Sequence, residues 1–283
     1  MIPLAAYVDV ENRLALGIEP VDALRESRVP PPLLALRERL PAEEVLDRLV
    51  AERIPLTREL PALRRLESCR FTLFETELRT TDPWVDFRLV EGRGLYPRRR
   101  FVPRRFRYPL GAAAIPLSNR IRRPALFPGA EYPIHESATV LRGRAVRDGA
   151  PMRWARVEAL LPAGDGSCPD SAPETVLAVA HGDDRGDFLL VLPTNTFGPG
   201  ALRLTVTVCV RVWGPEPVPI ASERIRSIDP HWDLPREALP LTAAGELAAG
   251  GRTLPAGYIR DTTRKVTLRL GATTSDPNPY LVL

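Results

Sequence analysis

Residues 201–213, ALRLTVTVCVRVW, alternate apolar and polar side chains with almost no break. Leu202, Leu204, Val206, Val208, Val210 and Val212 fall on one side. Arg203, Thr205, Thr207, Cys209 and Arg211 fall on the other. A repeat of two is the signature of an extended strand with one buried face. Its length suits a central strand or an edge hairpin strand; as an open edge it would invite strand addition by a partner. The 31 prolines spread along the 283 residues point the same way. Proline lacks the backbone N–H that a helix interior needs, so short strands and many turns are expected. The fold class is therefore mainly β.

The stretch from Phe127 to Leu192 carries the turn chemistry. Asp148-Gly149 is a hairpin signal, because glycine accepts positive φ and aspartate tolerates it. Arg185-Gly186 repeats the signal one hairpin later. Residues 163–173, rich in Gly, Ser, Asp and Pro, form an expected surface loop. Val157, Val179, Phe188 and Leu190 are expected to point inward, and residues 187–192 are nearly all apolar.

These residues carry a resemblance. Gly143, Val146, Asp148, Gly149, Pro151, Ala155 and Val157, followed by Asp183, Gly186, Phe188 and Leu190, resemble the motif of carboxypeptidase regulatory-like domains. Gly182 stands where that family usually has Thr, and Ala145 where it often has Val. Across residues 136–213 the resemblance implies a transthyretin-like (prealbumin-like) or Ig-like β-sandwich. Such domains are adaptors beside many activities and lack the zinc ligands of their catalytic neighbours, so no peptidase chemistry is implied.

Residues 1–110 are expected to form a second, small β-rich domain. Residues 7–18, 71–78, 85–90 and 101–110 have strand character. Residues 41–54 form one amphipathic helix: Ala42, Val45, Leu46, Leu49 and Val50 recur at steps of three and four, with Glu43 and Glu44 in the first turn. Its apolar stripe either packs on the neighbouring sheet or docks a partner. Residues 111–135 read as a Pro/Arg-rich linker, and 136–283 as the sandwich with a C-terminal extension.

Arg98, Arg99, Arg100, Arg104, Arg105 and Arg107 interleave with Phe101, Phe106 and Tyr108. Such a pattern can hold anions, or single-stranded nucleic acid through phosphate pairing and base stacking. It also fits a strand whose arginines face solvent or acidic protein surface while its aromatic side is core. Proline at 97, 103 and 109 and a net charge of only +4 weigh against nucleic acid. Lys265 is the sole lysine, so the positive charge is almost entirely arginine. Genomic bias and selection for bidentate contacts both produce that pattern.

The three cysteines, Cys69, Cys168 and Cys209, are widely spaced, with no CxxC pair. Cys209 is expected to be buried and inert, Cys168 to be the exposed thiol, and the compartment to be reducing and cytoplasmic. The N-terminal residues carry no basic, long apolar signal pattern, and no apolar run reaches the ~20 residues of a membrane span. The histidines, His135, His181 and His231, form no metal motif, and no Walker loop, nucleophile elbow or dinucleotide fingerprint is present. No cofactor is implied. Asp183 and Asp184 beside His181 could hold a cation or simply shape a turn.

Three readings follow. The first is a non-catalytic structural or adaptor protein in a larger assembly, similar in style to accessory subunits of phage-tail-like contractile machines; its partners are other protein subunits or further copies of itself. The second is a carbohydrate or small-ligand binding module using Trp154, Trp213 or Trp232. The third is an enzyme of unrecognised type, which would need a pocket joining His181 or His231 to carboxylates.

Overall fold

The computed structural model describes residues 14–66, 70–74, 84–103, 120–169, 176–193, 204–216, 223–238, 254–278 and 280–282. The chain is mainly β, as its alternation and prolines require. Its first part runs β1 (Leu14–Ile18), β2 (Val21–Asp22), β3 (Leu33–Arg37), α1 (Glu43–Ala51), a 3-10 turn (Leu56–Arg58), β4 (Arg64–Arg65), β5 (Phe71–Phe74), β6 (Phe87–Glu91), β7 (Arg99–Phe101), β8 (Ile121–Arg122) and β9 (Ala125–Leu126). The second part runs β10 (Thr139–Arg147), β11 (Ala150–Pro151), β12 (Arg156–Leu160), β13 (Val176–His181), β14 (Asp187–Leu192), β15 (Thr205–Pro215), α2 (Glu223–Ile228), β16 (Arg236–Glu237), β17 (Tyr258–Arg269), β18 (Thr273–Ser275) and β19 (Tyr280–Val282).

Two four-stranded sheets, β4-β5-β1-β8 and β16-β7-β6-β3, enclose a first core. Leu16, Ile18, Phe71 and Leu73 meet Leu33, Ala35, Phe87, Leu89 and Phe101 there. A second core lies between β13-β12-β15-β17 and the sheet formed by β11, β10, β14, β18 and β19. Val157, Ala159, Val206, Val208, Val210 and Val212 fill it against Leu141, Phe188, Leu190 and Leu192.

The sheet containing β10 and β14 belongs to both cores. Val140 and Leu189 pack into the first, while Leu141, Phe188 and Leu190 pack into the second. A strand buried on both faces reads as a continuous apolar run, which explains residues 187–192. Val179 does not point inward as expected. β13 pairs with β12 so that Val179 lies opposite Glu158 while Ala178 and Ala180 lie opposite Ala159 and Val157. The two alanines therefore face the core.

The turn at Asp148-Gly149 is a hairpin turn, with both residues at positive φ and Arg147 paired to Ala150. The second turn differs from expectation. β13 and β14 lie in different sheets, so residues 182–186 form a corner, not a hairpin. Gly186 sits at φ 76. A Cβ there would lie 2.4 Å from the Ala145 carbonyl oxygen, so only glycine fits.

β15 is an interior strand, hydrogen-bonded to β12 on one side and β17 on the other. It begins at Thr205, and Leu204 is 79% exposed instead of facing the core. α1, shorter than the expected 41–54, packs inside the chain. Leu46 and Leu49 join Leu36 of β3, Leu56, Leu60 and Ile228 of α2. Burying each such leucine contributes about 1.5–3 kcal/mol, which favours the packing role over docking.

The expected linker at 111–135 is corrected at its centre. β8 pairs parallel with β1 and β9 pairs parallel with β2, so residues 121–126 complete the first region. The C-terminal extension also returns to it, because β16 pairs parallel with β7. The cysteine expectation is corrected as well. Cys168 and Cys209 form a disulfide with Cα atoms 5.6 Å apart, which ties the 163–169 loop to the outer face of β15. Spacing alone could not pair them, because β15 brings Cys209 beneath the loop only after folding. Cys69 lies outside the described residues.

Candidate functional site

Period-two geometry sorts the arginines of the 98–107 stretch. Phe101 of β7 and Phe87 and Leu89 of β6 face the first core. Arg99 shares their side and is buried; its guanidinium lies over the Phe101 ring at 4.5 Å. It donates to both carboxylate oxygens of Glu237 in β16, at 2.9 and 2.6 Å. Arg156 of β12 reaches the same carboxylate at 3.0 Å. Burial opposes ionisation of Glu237, but the two guanidinium groups outweigh it and hold its pKa below the usual range.

Arg88, Arg100 and Arg236 are register partners on the opposite face of this sheet. Three neighbouring cations would repel across the strands. Carboxylates between them remove that cost. Arg88 donates to both oxygens of Asp229, at 2.8 and 2.6 Å, and contacts Glu38. Asp86 accepts from Arg100 at 2.8 and 2.7 Å and from Arg236 at 3.0 and 2.7 Å. Burial works against ionised Asp229, yet the Arg88 fork keeps its pKa below the ordinary value.

This row forms the floor of a cleft of about 740 Å³. α2 and residues 229–232 wall one side; Arg37, Arg39 and Leu40 wall another. Trp84 and Trp232 line it as well. Trp84 is 52% exposed and Leu40 is 65% exposed. Trp84 is the functional-site candidate that the sequence reading missed. The alternation of Val85, Phe87 and Leu89 into the core also places Trp84, Asp86 and Arg88 together on the other face, so the signal was present.

A second, smaller cleft of about 250 Å³ gathers Glu91, Arg98, Trp154, Asp183, Asp184 and Arg185. His231 is buried behind it, its ring edge-on to Trp154 at 5.6 Å and its Nδ1 3.7 Å from Asp184. Burial first, then the charge of Arg98, pushes the His231 pKa down to about 4. His181 is not part of this group. It is fully buried and stacks on Phe127 at 4.1 Å. The Asp183 carboxylate instead shapes the corner, accepting from the backbone N–H groups of Arg185 at 2.8 Å and Asp187 at 3.0 Å.

The remaining candidates are dispersed. Trp154 is 2% exposed and is no surface platform. Trp213 is half-buried and donates from Nε1 to Glu158 at 2.9 Å. Trp232 is half-buried beneath the Arg226 guanidinium, 5.6 Å from its ring centroid. Arg98 and Trp154 share the smaller cleft, Arg100 and Trp232 the larger, and Arg99 neither. Arg104, Arg105 and Arg107 lie outside the described residues.

No family model matches this sequence, and no curated protein matches it. Among solved structures, the shaft pilin spaA from Lactobacillus rhamnosus GG, in a mutant form, aligns at 8% identity. The alignment covers 92% of this chain and 95% of the pilin, with a TM-score of 0.18. A score of that size carries no structural inference.

Proposed function

We propose that this chain is a non-catalytic structural subunit that makes protein–protein contacts within a larger assembly. A phage-tail-like contractile machine is the specific setting proposed. One observation carries this reading: the ionic groups best placed for chemistry instead clamp distant parts of the chain together. Arg88 and Asp229 are 141 residues apart, Arg99 and Glu237 are 138 apart, and Asp86 and Arg236 are 150 apart. A further clamp joins Arg28, Arg70 and Arg123 on the buried Glu19. The first three pairs, with Arg156 on Glu237 and Arg153 on Asp233 from the second region, make residues 223–238 a strap between the two cores, the construction of a rigid part.

β17 supplies a surface for assembly. It pairs with β15 along Tyr258–Arg269, and among the described residues no strand takes its other side. The motif residues from 143 to 190 support a transthyretin-like type for the two-sheet unit that carries this edge. The Cys168–Cys209 pair supports an oxidising setting for the finished protein, in place of the cytoplasmic one expected from cysteine spacing.

The test is purification of the tagged chain from its own host at low and high salt, with the complex mass recorded. The reading expects a particle of fixed stoichiometry that survives high salt. Recovery only as a 31.4 kDa monomer contradicts it.

A further inference from the structure

We propose that the larger cleft, on the outer face of β6, β7 and β16, binds a neutral saccharide. Trp84 is the stacking platform, and Arg236, Asp86 and Glu38 supply hydrogen bonds. This inference stands apart from the structural reading, since a subunit of an assembly can also carry a glycan site.

Volume sets the first limit. A space of about 740 Å³ lies within the range of small-molecule sites, about 300–1,000 Å³, and accommodates a few sugar rings. Charge sets the second. Guanidinium and carboxylate groups alternate over the floor and are held in place by one another. An anion would meet Glu38, Asp86 and Asp229; a cation would meet Arg37, Arg39, Arg88, Arg100 and Arg236. A ligand whose groups both donate and accept satisfies the two kinds of side chain at once, and hydroxyl groups do this. Fixed charged partners also make stronger hydrogen bonds than neutral ones.

The aromatic component narrows the class further. Trp84 leaves half its surface in water at the rim, and Trp232 lines the same space. An exposed indole beside a polar floor is an apolar plate next to oriented hydrogen-bonding groups. A pyranose ring matches both, with C–H groups on its face and hydroxyls around its edge. An extended peptide matches less well, because the cleft lies over the face of the sheet, where side chains and not backbone groups are presented.

The full-length protein is applied to a printed array of neutral glycans, with sulfated, carboxylated and amino sugars as charge controls. The strongest neutral ligand is then titrated calorimetrically. Binding of at least one neutral glycan is expected, with affinity unchanged between low and high salt. Trp84→Ala is expected to weaken it about tenfold or more. Trp84→Tyr, which keeps a ring, is expected to retain most of the affinity and guards against loss of fold. Trp213→Ala, outside the cleft, is expected to change nothing. Absence of any neutral ligand overturns the proposal. So does binding confined to charged glycans with a steep salt dependence, or binding that Trp84→Ala leaves intact.

Discussion

His231 shows how a single buried side chain sets a pH response. Its folded-state pKa is about 4 against an ordinary 6.5. Between those values the unfolded chain takes up a proton that the folded chain refuses, so stability is full above pH 6.5 and declines as pH falls toward 4. The lowered pKa values of Asp229 and Glu237 act in a more acidic window, where stability is lost as each carboxylate protonates. Urea midpoints measured against pH are expected to fall across the histidine window for the parent and to stay level there for His231→Gln. A level parent curve would refute the assignment. The Arg88–Asp229 pair gives a second expectation. Asp229→Ala leaves the buried Arg88 guanidinium to Glu38 alone and is expected to cost up to about 3–5 kcal/mol in urea unfolding, whereas Arg88→Met with Asp229→Leu costs less. The turn glycines differ in the same assay. A Cβ on Gly186 meets a carbonyl oxygen at 2.4 Å, but one on Gly149 meets nothing within 4 Å. Gly149→Ala is expected to cost about 1–2 kcal/mol for its positive φ, and Gly186→Ala more. At this scale the sequence was readable where chemistry is local, as at Asp148-Gly149. It was unreadable where the partner is remote, as for His231 and Asp184.

Elements were legible in proportion to their regularity. The alternation of residues 201–213 became β15 from Thr205 onward, and the three-and-four spacing of Val45, Leu46 and Leu49 became α1. β16 could not have been read, since two residues carry no period and its partner β7 lies far away in sequence. Of the two places that the alternation of residues 201–213 allowed, central or edge, β15 takes the central one and β17 the edge, because strand order is not written in the alternation of one strand. β17 is guarded by Arg260, Arg264, Lys265 and Arg269, which disfavour pairing with a second identical edge. Replacing Lys265 and Arg269 by threonine is therefore expected to raise self-association in light scattering, with no change contradicting that role. The disulfide closes a separation of 41 residues. Cys168→Ser with Cys209→Ala is expected to cost roughly 2–4 kcal/mol in urea unfolding, and equal midpoints would show that the loop is held by other contacts.

At the scale of the molecule, two cores share one sheet, and the strap of residues 223–238 fastens them from outside. Arg88 and Arg99 grip it from the first region, Arg156 from the second, and Arg153 adds a bidentate pair with Asp233 at 2.6 and 2.8 Å. The sequence suggested a boundary near residues 111–135, because prolines and small residues cluster there. Pairing of 121–126 with β1 and β2 overrode that composition. The proposed structural role rests on this unity, since a subunit that bears load must not come apart between its cores. Scanning calorimetry of the intact chain tests it most directly. The account predicts a single transition whose calorimetric and van't Hoff enthalpies agree. Two resolved transitions, one for each core, would contradict it.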